Sequence, residues 1–549
     1  MPLPRAVTTS FSVAPSRACA FARRAAAALA MVAVIGGCIS IDPADIQRTP
    51  STAYPTPAAT PLGKLAYADA SKHAGQSAFR LLESGRAGLS ARIALIDAAQ
   101  QSVDLQYYIM DGETAELVAR RLLDAADRGV RVRLLLDDHG KHSDETALTA
   151  LSSHPKIAVR LFNPVMMRGP AFALAAFEYV VRGSQLNRRM HNKAFIVDNA
   201  IAIVGGRNIG DAYFDAPGPI VFQDLDIIAA GPIVRSLSAS FDEYWNSEYA
   251  VPIEALAKNA ASADDVAKAR QKVVAIGGSE RAEMRIQPAA MSIISREIAD
   301  GRLSMTWAQA RVLADSPRKV EPQRGDSARQ IADELVPALA AVKRDLVIVS
   351  PYVIPDDASM AAIRAARARG ARVRALTNSL ATSDLTIAHS GYAPWRTTLL
   401  DAGVELFEMK PQAVPFAGKS SGSGSGSGGS GGGSGSGSSH STLHAKVIVL
   451  DRRFVFLSSM NLDPRSIRLN TEMGLWIDSP QLAGEIVQRF DDATKPENSY
   501  HVVRNTDSKL EWISASGGVA QRYDDEPDTT AEKRIRARLA QLLPLQDQL

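Results

Sequence analysis

Two long stretches of the chain share one hydrophobic rhythm. "VDLQYYIMDGETAELVARRLLDAADRGVRVRLLLDD" runs from Val103 to Asp138, and "RDLVIVSPYVIPDDASMAAIRAARARGARVRALTNS" runs from Arg344 to Ser379. Each reads as strand, polar loop, helix, glycine and strand. Val118, Leu122, Ala125 and Ala126 recur at helical spacing, which predicts one buried helix face. Gly129 and Gly370 stand where a helix end calls for a positive φ. A short helical crossover returns the chain parallel to its start, so "RGVRVRLLL" and "RGARVRALT" predict parallel strands. "IAVRLFN" and "GVELFEM" add one more strand to each copy.

A second pattern follows each copy. "RRMHNKAFIVDNAIAIVGGRN", Arg188 to Asn208, alternates like a buried strand but carries His191, Lys193 and Asp198. "STLHAKVIVLDRRFVFLSSMN", Ser441 to Asn461, repeats the spacing with His444, Lys446 and Asp451. Six residues after each Asp comes a small pair, Gly205-Gly206 and then Ser458-Ser459, and after one more residue Asn208 and Asn461. A lone His-x-Lys is ordinarily a solvated strand end; the matched second copy removes that reading.

The chain therefore divides into two α/β halves, 64–249 and 321–504, with a mainly helical connector over 250–320 and a C-terminal tail over 505–549. Ahead of them, Arg17, Arg23 and Arg24 precede the apolar run "AAAALAMVAVIGG", which has the length of a signal-peptide core. Residues 1–37 are expected to be a signal peptide. "VIGGC" resembles a bacterial lipoprotein cleavage box with Cys38 as the lipidated residue, and 38–63 reads as a flexible tether. An uncleaved membrane anchor is the alternative. The tail "DTTAEKRIRARLAQLLPLQDQL" has the pattern of a basic amphipathic helix, with an ordinary surface helix as the plainer reading.

The segments before the two motifs differ. "NPVMMRGPAFALAAFEYVVRGSQLNRR" is rich in Met, Phe and Ala and suits a lipid-facing wall or a buried core helix. Its counterpart contains a Ser/Gly run from Ser420 to Ser439. Such a run is a coil spanning about 25 Å and positions no catalytic group.

Composition narrows the chemistry. The 549 residues carry 62 Lys+Arg against 59 Asp+Glu, a net charge of +3, which argues against a nucleic-acid binder. The two cysteines, Cys19 and Cys38, both precede the α/β halves. Neither a disulfide framework nor a cysteine zinc site is available to those halves.

Two matched halves docked about a pseudo-twofold axis bring His191 and His444 face to face. One imidazole can attack while the other protonates a leaving group. Lys193 and Lys446 lie two residues from each histidine on an alternating strand and point the same way. With Asn208, Asn461 and the hydroxyl of Ser459 they form an anion site suited to a phosphodiester. The lysines supply the positive charge, so no metal and no cofactor is expected. "DDHGKHSDE", Asp137 to Glu145, is the one rival cluster of metal-ligand types, and the second half offers only "TNSLATSD" in its place.

The doubled pattern His-x-Lys, four residues, Asp, six residues, two small residues, x, Asn resembles the signature of the phospholipase D superfamily. "RRMHNKAFIVDNAIAIVGGRNIGDAYF", "MNLDPRSIRLNTEMGLWID" and "FDEYWNS" are similar to the bacterial cardiolipin synthases of the third, lipoprotein-like type. The resemblance covers about Leu81 to Trp512. It implies two phospholipase D-like α/β sandwich halves with the active site at their interface. It also implies a phosphatidyltransferase that joins two phospholipids into cardiolipin. His191 would be the nucleophile and His444 the general acid and then base. Matching Pro232 with Pro480 aligns Asp224 with Glu472, and each acid is implied to support the histidine of the opposite half. Asp198 and Asp451 complete the motif, with a role in stabilising the fold around it. Gly205-Gly206 departs from the commoner Gly-Ser.

Three other functions fit parts of this pattern. A phospholipase would use water as acceptor with the same residues. A nucleic-acid phosphodiesterase would share the motif, but nucleases of this kind carry one motif and dimerise. A membrane scaffold would not need two complete motifs. Membrane phospholipids are the expected partners, in the bacterial cell envelope with the catalytic domain in the periplasm; an accessory protein is left open.

Overall fold

The computed structural model describes residues 46–55, 57–138, 145–166, 178, 182–216, 218, 220–256, 262–276, 292–322, 328–411, 413, 416 and 440–542. The expectations placed on Cys38 and the segment before it, on the Ser/Gly run 420–439, on most of the Asp137–Glu145 cluster and on the middle of the Met/Phe/Ala segment lie outside those residues.

Strands β1 to β9 belong to the first half: Ser77–Leu82, Ser102–Tyr107, Arg131–Asp137, Ile157–Phe162, Ala194–Val197, Ile201–Gly205, Ile220–Gln223, Asp226–Ala230 and Ala250–Pro252. β10 is Thr306–Ala314. β11 to β20 follow as Asp345–Val349, Arg372–Asn378, Val404–Met409, His440–Leu443, Val447–Leu450, Phe454–Ser458, Met473–Asp478, Ser499–Arg504, Leu510–Ser516 and Val519–Tyr523.

In the first half the order is β9-β4-β3-β2-β5-β6-β8-β1, with β2, β3 and β4 parallel and the other pairings antiparallel. The second half repeats it as β18-β13-β12-β11-β15-β16-β17-β10, with β11, β12 and β13 parallel. β10 also pairs with β1, Ser77 opposite Ala308. One sheet thus runs through both halves. The stretch read as a connector holds helices Ile253–Leu256, Ala263–Ile276 and Ile293–Ala299, and then β10, which the polar mixture "MTWAQARVLA" concealed. The stretch read as a tail adds β19 and β20 to the sheet edge before its helix, Ala531–Ala540.

The crossover helices form as their periodicity requires. Helix Gly112–Asp127 buries Leu117, Val118, Leu122, Ala125 and Ala126. It ends at Gly129, φ +96°, whose N–H donates to Ala126 O while Val130 N–H reaches back to Ala125 O. Helix Asp357–Ala368 ends the same way at Gly370, φ +85°, with Ala371 N–H on Ala366 O. Both are left-handed C-terminal caps that only glycine adopts without strain.

A cross-half pairing fixes the site. β14 pairs in parallel with β7, His440 opposite Ile220 and Leu443 opposite Gln223. On the other side of the pseudo-dyad, Met190 bridges Thr471, and the His191 N–H donates to Thr471 O at 2.8 Å. Each motif histidine therefore leaves its own half's sheet and is pinned to the other half's backbone.

Candidate active site

The β5–β6 and β15–β16 hairpins carry the repeated motif. Asp198 and Asn199 turn the first with φ of +52° and +50°, and Asp451 and Arg452 turn the second with +53° and +55°. Two successive left-handed residues make the tight turn that matches strand twist, and Asp and Asn tolerate it best. The Asp198 carboxylate accepts the N–H groups of Gln100, Gln101 and Ser102. Asp451 accepts those of Lys343, Arg344 and Asp345. Both acids cap the strand next to them, at the hairpin end, and neither lines the catalytic cavity. Their contacts are with backbone at the hairpin end, in keeping with a role in stabilising the fold around the motif.

At the other end of those hairpins the two histidines meet. His191 and His444 line one cavity of about 860 Å³. His191 Nδ1 lies 3.0 and 2.9 Å from the two oxygens of Glu472. His444 Nδ1 lies 2.5 Å from Asp224 Oδ2. Both acids are fully buried, and both come from the half opposite to their histidine. With each Nδ1 engaged, Nε2 is the nitrogen presented to the cavity. An aromatic edge packs on each imidazole: Tyr108 on His191 and Tyr213 on His444, both at 5.1 Å between ring centres.

Lys193 and Lys446 lie behind the imidazoles and are nearly inaccessible. The Lys193 ammonium donates to the His191 carbonyl at 2.8 Å, and Lys446 Nζ reaches the His444 carbonyl and lies 2.8 Å from His444 Nδ1. Burial brings the Lys193 ammonium down to about 7 and that of Lys446 down to about 8, against the pull of Glu472 and Asp224. Burial also lowers both imidazoles. For His191 the Glu472 carboxylate opposes the shift, whereas for His444 the charges of Lys446 and Lys193 reinforce it. Burial pushes the Glu472 carboxyl up, but His191 and Lys193 outweigh it and the net direction is down. For Asp224 burial prevails over Lys446 and Arg207, and the carboxyl is raised.

Of the polar residues expected on the substrate phosphate, Asn208 and Asn461 line the cavity. Asn208 donates to the Tyr213 hydroxyl at 2.9 Å and accepts from the Ile109 N–H. Ser459 does not reach the cavity. It is fully buried, and its hydroxyl donates to Glu472 Oε2 at 2.5 Å. It steadies the acid rather than the substrate, a correction to its expected place. The first half has no such hydroxyl at Gly206, because a Cβ there would stand 2.4 Å from Asp224 Oδ1.

The cavity also contains residues that the motif does not announce. Tyr108 and Tyr352 follow β2 and β11 in "QYYIM" and "SPYVI", one residue out of register with each other, since Met110 bridges Ile209 where Val353 bridges Leu462. Burial pushes the Tyr108 hydroxyl up to about 12. Tyr352 donates to Asp384 at 2.5 Å. Asp384, Asp463 and Arg465 line the wall as well and carry no repeat signal. Asp315 lies behind Glu472 and accepts its backbone N–H at 2.9 Å; it sits on β10's exit, in the span read as connector. Of the Asp137–Glu145 cluster, Asp137 is buried and accepts the Met190 N–H at 2.8 Å.

The family model described as "Cardiolipin synthase, PLD-like domain" matches residues 93–245 and 335–494, one match to each half. The chain belongs to that family. It is 36% identical to "Cardiolipin synthase C" of Escherichia coli (strain K12) over 479 residues, 87% of this chain and 97% of the relative. It is 31% identical to an uncharacterised protein of Helicobacter pylori (strain ATCC 700392 / 26695), over 92% of this chain and 96% of that protein. Among solved structures, the phosphatidylserine synthase of Haemophilus influenzae Rd KW20 superposes with a TM-score of 0.52 at 13% identity, over 88% of this chain and 100% of that one. That likeness concerns the fold.

Proposed function

We propose that this protein is a phosphatidyltransferase that makes cardiolipin from two phospholipids through a phosphatidyl-histidine intermediate. The observation that carries the reading is the pair of crossed histidine–carboxylate contacts facing one cavity, backed by two buried lysines. The likeness to "Cardiolipin synthase C" supports the choice of lipid substrate.

His191 Nε2 attacks the phosphorus of the donor phospholipid. The bond from phosphorus to the headgroup oxygen breaks, and His444 gives that oxygen its proton. The headgroup leaves. His444, now neutral, takes the proton of an acceptor lipid's hydroxyl, whose oxygen attacks the same phosphorus. The phosphorus–nitrogen bond breaks and His191 is restored. Asn208 and Asn461 face the equatorial oxygens from the cavity wall, and Lys193 and Lys446, buried behind the imidazoles, add positive charge without lining the cavity. Before substrate binds, burial, reinforced by the lysine charges, favours neutral His444. A bound phosphate offsets those charges and lets His444 hold the proton it must donate. Glu472 and Asp224 fix the ring orientation of each histidine.

Among the described residues no helix is long and apolar enough to cross a membrane. Membrane attachment is proposed to come from lipidated Cys38, placing the catalytic halves in the periplasm. The deciding experiment is mass spectrometry of lipids from purified protein in mixed phospholipid vesicles. Cardiolipin with release of the donor headgroup is expected. Phosphatidic acid as the main product would replace the transferase reading by the hydrolase.

A further inference from the structure

The C-terminal helix Ala531–Ala540 has one face against the body of the protein and one face open. Ala537 is its buried residue. Ile535, Leu539 and, in the turn that follows, Leu542 are 57%, 59% and 79% exposed. Their spacing of four and three residues places them on one stripe, opposite Ala537. Three large exposed aliphatic side chains in one line on a ten-residue helix are not a scatter of single surface residues.

The surroundings of the stripe say what covers it. Arg536 and Arg538 flank it, one on each side, with side chains 72% and 69% exposed. Arg536 pairs with Glu532, and Arg538 with Asp525. Such exposed pairs hold the guanidinium groups only weakly, leaving them available to phosphates. An apolar stripe with guanidinium groups along its borders is the pattern of a helix lying in the headgroup layer of a bilayer.

Position links this helix to the catalytic cavity. It packs against helix Thr386–Tyr392. Leu385, at the start of that helix, lines the cavity and is itself 52% exposed; Ile387 and Ala388 line the cavity from the same turn. Lys533 donates to the Ala381 carbonyl at 3.3 Å, in the turn that precedes that helix. Glu526, just before the C-terminal helix, anchors it through the buried Arg396 at 2.5 Å. The helix is therefore fixed to the cavity wall rather than hanging from the end of the chain.

We propose that Ile535, Leu539 and Leu542 form a bilayer-docking face that seats the cavity mouth on a phospholipid surface. This rests on the proposed lipid substrate. It deepens that reading by naming where a lipid leaves the bilayer for the cavity. A diacyl substrate keeps its chains in the membrane while its phosphate reaches the histidines, so a wall of the cavity must touch the membrane.

The test is Leu539→Trp in the full chain, with Val519→Trp on the edge strand β20, outside the proposed face, as control. Both positions are well exposed and accept a larger ring. Vesicles of phosphatidylglycerol and phosphatidylcholine carry acyl chains brominated near the headgroup. The Leu539→Trp chain is expected to lose at least half of the fluorescence its new indole adds, and the Val519→Trp chain none. Adding Arg536→Glu and Arg538→Glu to Leu539→Trp should weaken its quenching by vesicles several-fold. No quenching in Leu539→Trp, or equal quenching in Val519→Trp, overturns the proposal. Blue-shifted emission from Leu539→Trp without vesicles, which would mean that a second copy or another protein covers the stripe, overturns it too. Docking is read without turnover. A chain that docks but makes no cardiolipin counts against the proposed reaction alone. One that makes cardiolipin while its indole at position 539 stays unquenched counts against the docking face alone.

Discussion

Glu472 and His191 lie 281 residues apart and in different halves, yet both carboxylate oxygens stand within 3.0 Å of the imidazole Nδ1. Asp224 and His444 repeat the arrangement in the opposite sense. Neither motif histidine takes its carboxylate from its own half. The active site is thus a product of docking, and the β7–β14 pairing is part of the catalytic apparatus.

Glu472→Gln keeps the shape of the side chain but removes the charge that orients His191. The expected loss in kcat lies between about 10² and 10⁴-fold, the range for removing an orienting carboxylate behind a catalytic histidine. Ser459→Ala, which removes only the hydroxyl on Glu472, should cost about tenfold, the low end of the roughly 10- to 100-fold range for outer-shell partners. Steady-state kinetics on mixed micelles measures both. A Glu472→Gln enzyme within a few-fold of the parent would mean that the contact is structural only.

The two histidines should fail differently. His191→Ala is expected to abolish turnover, and His444→Asn to slow both steps while leaving a phosphatidyl-enzyme that accumulates. Rapid quench of His444→Asn with a labelled donor, followed by peptide mass spectrometry, locates the phosphorus. Label on His191 is expected; label on His444 in the reciprocal variant would exchange the two roles.

Much of this geometry was legible in the sequence because the chain states it twice. The repeated crossover unit predicts the parallel strands and both glycine caps, and matching Pro232 with Pro480 aligns Asp224 with Glu472, the two acids that stand against His444 and His191. What the repeat does not duplicate stayed hidden. β10 is shared by both halves rather than copied, so no second copy marked it, although Gln309 and Arg311 alternate with the less exposed Ala308, Ala310 and Val312 as on a half-buried strand. Ser459 was misplaced because sequence spacing puts it on the motif strand but cannot say that Glu472, one strand away, is nearer than the substrate. Asp384 and Asp463 come from loops whose positions depend on the whole docked molecule.

Asp198 and Asp451 should matter for stability and not for chemistry. Each carboxylate satisfies three strand-end N–H groups, and a replacing water satisfies them only in part. Leaving a buried donor such as the Ser102 N–H unpaired costs about 1–3 kcal/mol, and the exposed Lys343 and Arg344 donors on Asp451 cost less. Asp198→Ala and Asp451→Ala should each lower the melting temperature by several degrees, while the folded fraction keeps its kcat. Active-site titration combined with thermal denaturation separates the two effects. A normal Tm with a large loss in kcat would return these residues to the catalytic set.

Anion binding should follow the two lysines. Lys193 and Lys446 are brought down to about 7 and about 8 by burial, whereas in the unfolded chain a lysine titrates near about 10.4. Between about 8 and 10 the unfolded chain binds more protons, so the lysines make the protein without bound anion more stable as pH rises through that window. Sulfate, whose charge is constant there, restores the ammonium form when it binds. It should therefore raise the Tm near about pH 6, below both folded values, and lose that effect above about pH 8. Lys193→Met should shrink the response on the acid side. An equal sulfate shift on both sides of that window would refute the assignment of these lysines to the phosphate.

The last prediction concerns Gly206, where the two halves differ in size. Gly206 matches Ser459 in the repeat, which makes Gly206→Ser look harmless on sequence grounds. The packing opposes it. The acid beside Ser459 is a glutamate, whose longer chain leaves room for a Cβ and accepts the serine hydroxyl. The acid beside Gly206 is an aspartate, and a Cβ at 206 would lie 2.4 Å from Asp224 Oδ1 and 2.7 Å from Oδ2. The carboxylate would have to move, and it is held between His444 and the Leu225 N–H. Gly206→Ser should accordingly lower kcat by about 10²-fold or more, as expected for an unseated orienting group, with KM little changed. Changing Asp224→Glu in the same chain rebuilds the arrangement of the other half, and the double variant should recover activity relative to Gly206→Ser. Contacting residues couple in this way. A Gly206→Ser enzyme with parental kcat would show that Asp224 does not need its present position to serve His444.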